Sequence, residues 1–179
     1  MRPPPGVVVL DFDSTLTSPI YLEERRVWAL ADKPKVLASL TETQRVATFG
    51  GPERLRQLDA FLTDLARRAT LYIISIGYKK AIVPLLEAVD LLRHFDTAKI
   101  FGQDSTELRG LGYVKAALVA ELANEHGWTT PDHVLFVDDS EDHIDEAIRR
   151  NVARTLLVRQ SGMSPDDMAR ILRLVHQSE

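Results

Sequence analysis

The sequence contains no cysteine. That excludes disulfide scaffolds, thiolate zinc sites, iron–sulfur clusters and cysteine nucleophiles. Long apolar runs are also missing, and none approaches the ~20 residues that a membrane-spanning helix needs. Charge of one sign is not in strong excess: 22 Lys+Arg stand against 26 Asp+Glu, a net charge of −4. General nucleic-acid binding normally needs a basic face, so nucleic acid is not an expected partner, and neither is a membrane. A secretory signal is lacking at the start. Pro3, Pro4 and Pro5 lead into only a short apolar run, Val7 to Leu10, before Asp11, whereas a secretory apolar region needs roughly 7–15 residues. The expected location is the cytoplasm. What remains is an ordinary balance, 45% hydrophobic and 27% charged over 179 residues. That is enough chain for a single domain, residues 1–179, to bury a core without covalent staples.

Five short apolar runs read as strands: Val7–Leu10, Leu71–Ile74, Ala98–Phe101, Val134–Val137 and Thr155–Val158. They are rich in Val, Ile, Leu and Phe and mostly do not alternate with polar residues. Strands buried on both faces read this way, and they belong to parallel sheets covered by helices. Helical spacing fills the gaps. Leu55, Leu58, Leu62, Leu65 and Ala69 follow Pro52 and Glu53, a favoured opening turn. Ile82, Leu85, Leu86 and Val89 mark a helix over 79–92. Val114, Ala117, Leu118, Glu121 and Leu122 mark another, ended by Gly127. Ile144, Ala147 and Ile148 mark a short helix. Met168, Ile171, Leu172 and Val175 mark the last, with Ser164 as N-cap and Pro165 at its first position. The alternation predicts a three-layer, Rossmann-like α/β fold, a parallel sheet with helices on both faces.

Residues 17–51 break the alternation. They hold a helical stretch from Tyr21 to Ala31, a break at Lys33-Pro34, a second short helix near Lys35–Leu40 and a Gly50-Gly51 stop. An excursion of this length after a strand reads as a small helical cap or flap over the site rather than a structureless loop.

In such sheets ligands bind beyond the carboxyl ends of the strands. Asp11-Phe12-Asp13-Ser14-Thr15 follows the first strand, Ser75-Ile76-Gly77 the second, and Asp138-Asp139-Ser140 the fourth. Lys115 opens a helix behind Gly110-Leu111-Gly112. Four carboxylates brought together repel one another. A hard cation such as Mg²⁺ resolves that conflict, and it is typically held by one or two carboxylates plus a substrate phosphate. A lysine, a serine hydroxyl and strand-end N–H groups fit the phosphate itself.

These residues carry a resemblance. The chain resembles the haloacid dehalogenase superfamily, and within it the magnesium-dependent phosphatases. Val7-Val8-Val9-Leu10-Asp11-Phe12-Asp13-Ser14-Thr15 is similar to the family's strand followed by Asp-x-Asp-x-Thr. Ile73-Ile74-Ser75, Lys115 and Leu135-Phe136-Val137-Asp138-Asp139 match the remaining three signatures, in order. The resemblance implies Asp11 as a nucleophile forming an aspartyl-phosphate, and Asp13 as general acid and then base. It implies Mg²⁺ on Asp11, the Asp13 carbonyl and Asp139, with Asp138 behind them or exchanged with Asp139. Ser75, Ile76, Gly77 and Thr15 would bind phosphate, and Lys115 would neutralise it. The implied substrate is a phosphorylated small molecule or a phosphoprotein. His143 falls near the slot where relatives carry a further acidic residue or Asn, with Asp142 beside it.

Plainer readings exist for the same residues. Asp after a strand favours turns, and Ser140 caps a helix starting near Glu141 whether or not metal binds. Lys79 and Lys80 rival Lys115 and rank below it, since they open a helix, where the dipole disfavours cations unless phosphate is near. Arg25-Arg26, Arg54-Arg56 and Arg67-Arg68 read as solvated helix faces, although Arg25, Arg26 or Arg45 could reach an anionic substrate. A dehalogenase would use Asp11 and need neither Asp13 nor Mg²⁺. A phospho-accepting receiver domain places its acidic pair early, not late. A non-catalytic interaction protein would not need the intact set Asp11, Asp13, Lys115 and Asp139. A Rossmann dehydrogenase is excluded, because no Gly-x-Gly-x-x-Gly follows the first strand.

Overall fold

The computed structural model describes residues 4–18, 33–160 and 162–176. Five parallel strands form one sheet in the order β3-β2-β1-β4-β5: β1 (Val7–Leu10), β2 (Thr70–Ile74), β3 (Ile100–Phe101), β4 (Val134–Asp138) and β5 (Arg154–Leu157). β1 is central, with Val9 opposite Tyr72 on one side and Phe136 on the other. All four of its residues are buried, which explains their unbroken apolar character.

Alternate residues serve two cores. Val8, Leu10, Ile73 and Val137 pack on one face against α3 (Pro52–Ala66), α4 (Lys79–Ala88) and α8 (Pro165–His176). Val7, Val9, Ile74 and Phe136 pack on the other against α5 (Thr106–Gly110), α6 (Lys115–His126) and α7 (Glu141–Arg149). The three-layer α/β expectation is met. β1 leads outward through β2 to β3, and the chain then returns to the other side of β1 as β4. The switch point lies between β1 and β4, where the carboxyl ends leave a crevice.

The described part of the insert is α1 (Lys33–Ser39) and α2 (Glu42–Thr48). Both pack against α4, and α2 also against α3. Its two ends meet at the carboxyl end of β1: the Ser18 N–H donates to the Thr48 carbonyl at 2.8 Å, and the Ser18 hydroxyl to that of Ala47 at 3.1 Å. The helical stretch expected over Tyr21–Ala31 lies outside the described residues, as do Arg25 and Arg26.

Local differences from the sequence reading have local causes. β3 is shorter than Ala98–Phe101 because the Asp96 side chain accepts from the Ala98 N–H at 2.9 Å, capping a 3₁₀ turn over Thr97–Lys99. Such side-chain caps compete with strand pairing. The helix expected over 79–92 stops at Ala88, because Asp90 takes a left-handed φ of 59°, which Asp tolerates better than most residues. Gly127 ends α6 as expected. Ser164 caps α8 reciprocally: its hydroxyl accepts from the Asp167 N–H at 3.1 Å, and the Asp167 carboxylate accepts from the Ser164 N–H at 2.9 Å. Among the described residues no helix is long and apolar enough to cross a membrane.

Candidate active site

The crevice between β1 and β4 is lined by the residues that follow those strands. The Asp11 N–H still pairs with the Val137 carbonyl at 2.9 Å, so the Asp11 side chain is held in register with the sheet. Beyond it the chain turns sharply. The N–H groups of Leu16 and Thr17 both donate to the Phe12 carbonyl, at 3.0 and 3.1 Å. Ser14 adopts a left-handed φ of 62°. The Phe12 ring is fully buried, whereas Asp13 is only half-buried. One short loop thus anchors itself in the core and presents Asp11 and Asp13 at the crevice.

Lys115 is the first residue of α6, and it is 2% exposed. It shares the buried face with Leu118, Val119 and Leu122, so the apolar stripe that docks α6 also carries the ammonium inward. Its Nζ donates to Asp11 Oδ1 at 2.6 Å and to Asp138 Oδ2 at 2.7 Å. The Thr15 hydroxyl donates to the other oxygen of Asp11 at 3.1 Å. Both Asp11 oxygens are therefore pinned. Asp138 is fully buried. It accepts from the Ser140 N–H at 2.9 Å, and His143 Nδ1 lies 3.2 Å from both of its carboxylate oxygens. Asp139 is exposed at the mouth.

Oxygens of Asp11, Asp138 and Asp139 lie within 4.8 Å of one another. Three hard donors this close could hold a hard divalent cation. Electrostatics point the same way. Burial pushes the Asp11 carboxyl well above the usual range; Lys115 opposes this, and the charges of Asp138 and Asp13 add to it. Burial also raises Asp139, with the neighbouring charge of Asp138. Burial would raise Asp138 too, but the His143 hydrogen bond and the Lys115 charge outweigh it and hold Asp138 below the usual range. Lys115 remains firmly protonated: burial works against its charge, but Asp11 and Asp138 outweigh burial. Asp138 is thus the stable ion-pair partner of Lys115. Asp11 and Asp139 bear the unrelieved repulsion.

Solved structures share this architecture. A dehalogenase aligns with a TM-score of 0.61 at 14% identity, over 99% of this chain and 100% of its own. A haloacid dehalogenase-like family hydrolase from Streptococcus pneumoniae aligns with a TM-score of 0.56 at 18% identity, over 93% and 90%. A hydrolase of the same superfamily from Ehrlichia chaffeensis aligns at 0.54 and 16%, over 98% and 100%. The chain has the haloacid dehalogenase fold. No family model matches it, and no curated protein does.

Within the haloacid dehalogenase fold, the remaining expected residues take these places. Ser75 is fully buried at the end of β2, and its hydroxyl oxygen accepts from the Gly77 N–H at 2.9 Å. Ile76 is 37% exposed and Gly77 is buried. Thr15 meets Asp11 directly, as described above. Lys79 and Lys80 open a helix elsewhere. Their backbone N–H groups open α4 and are capped by the Asp104 carboxylate at 2.6 and 3.2 Å, while Lys115 alone among these three meets Asp11. Arg45 donates to the Ala38 carbonyl at 3.2 Å, within the insert.

Two residues carry more than the sequence reading gave them. His143 reaches Asp138 because Ser140 caps α7 and turns its first residues toward the crevice. Arg54 is not a solvated arginine: its guanidinium turns inward against four backbone carbonyls. Helical periodicity carries the signal: Arg54 stands four residues before Leu58 and seven before Phe61, on the buried stripe of α3.

Proposed function

We propose that the protein is a Mg²⁺-dependent phosphatase that hydrolyses phosphate monoesters through an aspartyl-phosphate on Asp11. The observation that carries this reading is the convergence of Asp11, Asp138 and Asp139 within 4.8 Å, with Lys115 2.6 Å from Asp11. Such a cluster suits two anions that must approach each other, a carboxylate and a phosphate.

Asp11, the Asp13 carbonyl and Asp139 would hold the metal, with Asp138 tied to Lys115 behind them. When bound, Mg²⁺ supplies Lewis-acid neutralisation of phosphate and carboxylate charge. Thr15 and Lys115 fix the Asp11 carboxylate in one orientation, so that an oxygen can attack phosphorus in line with the leaving oxygen. The P–O ester bond breaks as the Asp11–phosphorus bond forms. Asp13 donates its proton to the departing alkoxide. It then accepts a proton from the water that attacks the aspartyl-phosphate, and inorganic phosphate and Asp11 are regenerated. The Ser75 oxygen already accepts from Gly77, so its own O–H is left to donate to a phosphate oxygen.

The test is hydrolysis of a phosphate-ester panel, phosphopeptides included, with Mg²⁺ and with chelator. Turnover is expected with Mg²⁺ and should vanish in excess EDTA. Undiminished turnover in EDTA would remove the metal from the mechanism. Halide release from a 2-haloacid without phosphate release would replace the phosphatase by a dehalogenase.

A further inference from the structure

Arg54 occupies the first turn of α3, and every one of its four Nη hydrogens is used. Nη1 donates to the carbonyls of Leu16 at 2.7 Å and Phe49 at 2.8 Å. Nη2 donates to those of Thr15 and Met163, both at 3.2 Å. The four carbonyls come from three segments: the loop after β1, the exit of the insert, and the loop that leads to α8. No carboxylate pairs with Arg54 among the described residues. Burial pulls its pKa down to about 10, so it is still charged at neutral pH. A partly buried cation whose partners among the described residues are carbonyl dipoles is a costly way to add stability. It is, however, a direct way to fix four backbone oxygens at one point.

The surroundings are built to admit it. A Cβ on Gly162 would stand 2.8 Å from Arg54 Nη2 and from the Thr17 carbonyl, and one on Gly50 would stand 2.7 Å from Arg54 Cδ. Both glycines adopt left-handed φ angles, 85° and 90°, which side chains disfavour. Two backbone bonds complete the clasp. Gly162 N–H donates to the Ser14 carbonyl at 2.7 Å, and Met163 N–H to that of Thr15 at 2.9 Å. The clasped segment, residues 14–16, includes the strained Ser14 and directly follows Asp13. Through its hydroxyl, Thr15 holds Asp11.

We propose that Arg54 is a positioning residue for catalysis: its guanidinium locks the backbone of Thr15 and Leu16 against Phe49 and Met163, and so sets the placement of Asp11 and Asp13. Lysine cannot replace it, because one ammonium lacks a planar fork of donors. Misplacement of a reacting group by about 1 Å costs on the order of 10²-fold in rate. Strain such as that at Ser14 persists only where the surroundings over-determine it. The kinetic arm of the test rests on the phosphatase reading, and the amide-exchange arm does not.

The test uses the full chain with Arg54→Lys and Arg54→Ala. With p-nitrophenyl phosphate and Mg²⁺, kcat should fall by on the order of 10²-fold in both variants, with KM little changed. Added guanidinium at non-denaturing concentration should restore part of the kcat of Arg54→Ala but not of Arg54→Lys, whose ammonium fills the site. Hydrogen exchange should quicken at the amides of Leu16, Thr17, Gly162 and Met163 in both variants, while the middle of α3 keeps wild-type protection. An Arg54→Lys protein with wild-type kcat and wild-type loop exchange overturns the proposal. So does a loss of kcat that tracks the unfolded fraction and is not rescued by guanidinium. If Arg54→Ala does not fold, Arg54→Lys decides alone. If the wild-type chain hydrolyses no ester, the phosphatase reading fails, and unchanged exchange at those amides in Arg54→Lys would then reject the clasp.

Discussion

Asp11 is held where its charge is unwelcome. Burial and the neighbouring charges of Asp138 and Asp13 raise its pKa, and Lys115 only partly compensates. Asp11→Asn should therefore abolish turnover yet stabilise the metal-free protein at neutral pH. Lys115 keeps its partner Asp138 at 2.7 Å, so no buried cation is stranded. The gain should be on the scale of a typical stabilising substitution, about 0.5–2 kcal/mol, or about 2–4 °C in Tm per kcal/mol for a chain of this size. Thermal melts in EDTA read this directly, and a lowered Tm would count against it. Asp13→Asn should behave differently. The nucleophile survives, so p-nitrophenyl phosphate should give a rapid burst of p-nitrophenol, followed by a steady state slower by ~10²–10⁴-fold. Near-normal steady turnover would take Asp13 out of the mechanism. At this scale the positions of Asp11, Asp13, Ser75, Lys115, Asp138 and Asp139 at strand ends and a helix start were legible, because each stands next to a recognisable strand or helix start. The partners of Arg54 and Asp104 were not, since they are backbone groups and most of them lie far along the chain.

The elements around the site depend on caps supplied from elsewhere. Tyr78, the residue that opens α4, makes no side-chain cap. The Asp104 carboxylate, 25 residues away from Lys79, serves instead. Asp104→Ala should cost about 1–2 kcal/mol, the usual penalty for a lost N-cap near a helix dipole. Chemical denaturation with an unchanged m-value checks this, and a change within about 0.3 kcal/mol would show that water replaces the cap. The same loop brings Gly102 so close that a Cβ there would lie 2.3 Å from the Lys79 nitrogen. The type and order of the elements followed from apolar runs and helical spacing. Their ends did not always follow. Asp96 and Asp90 cut one strand and one helix short through hydrogen bonding and backbone angle, which hydrophobic periodicity does not register.

For the molecule as a whole, the carboxylate cluster couples stability to pH and, on the proposed reading, to metal. Asp11 is raised, so its contribution to folding is fully present below its unfolded pKa and is lost as pH rises through its folded value. Asp138 is lowered, so its contribution is present above the unfolded pKa and is lost as pH falls through its folded value. The metal-free protein thus carries its electrostatic cost on the neutral and alkaline side. Mg²⁺, which binds the ionised form, should raise Tm more at about pH 8 than at about pH 5. Paired melts with and without Mg²⁺ test this, and equal shifts at the two pH values would reject the coupling. The sequence by itself determined the parallel α/β class, the central place of the first strand's carboxyl end, and the residue types gathered there. Buried strands and helix faces write themselves into local hydrophobic pattern, and chemistry at strand ends follows them in the chain. Only the tertiary structure decided which lysine meets Asp11, that Asp138 is the carboxylate tied to Lys115 while Asp139 faces the mouth, and which distant carbonyls Arg54 gathers. Each of those depends on contacts between segments 23 to 109 residues apart, and no local pattern encodes a distance in space.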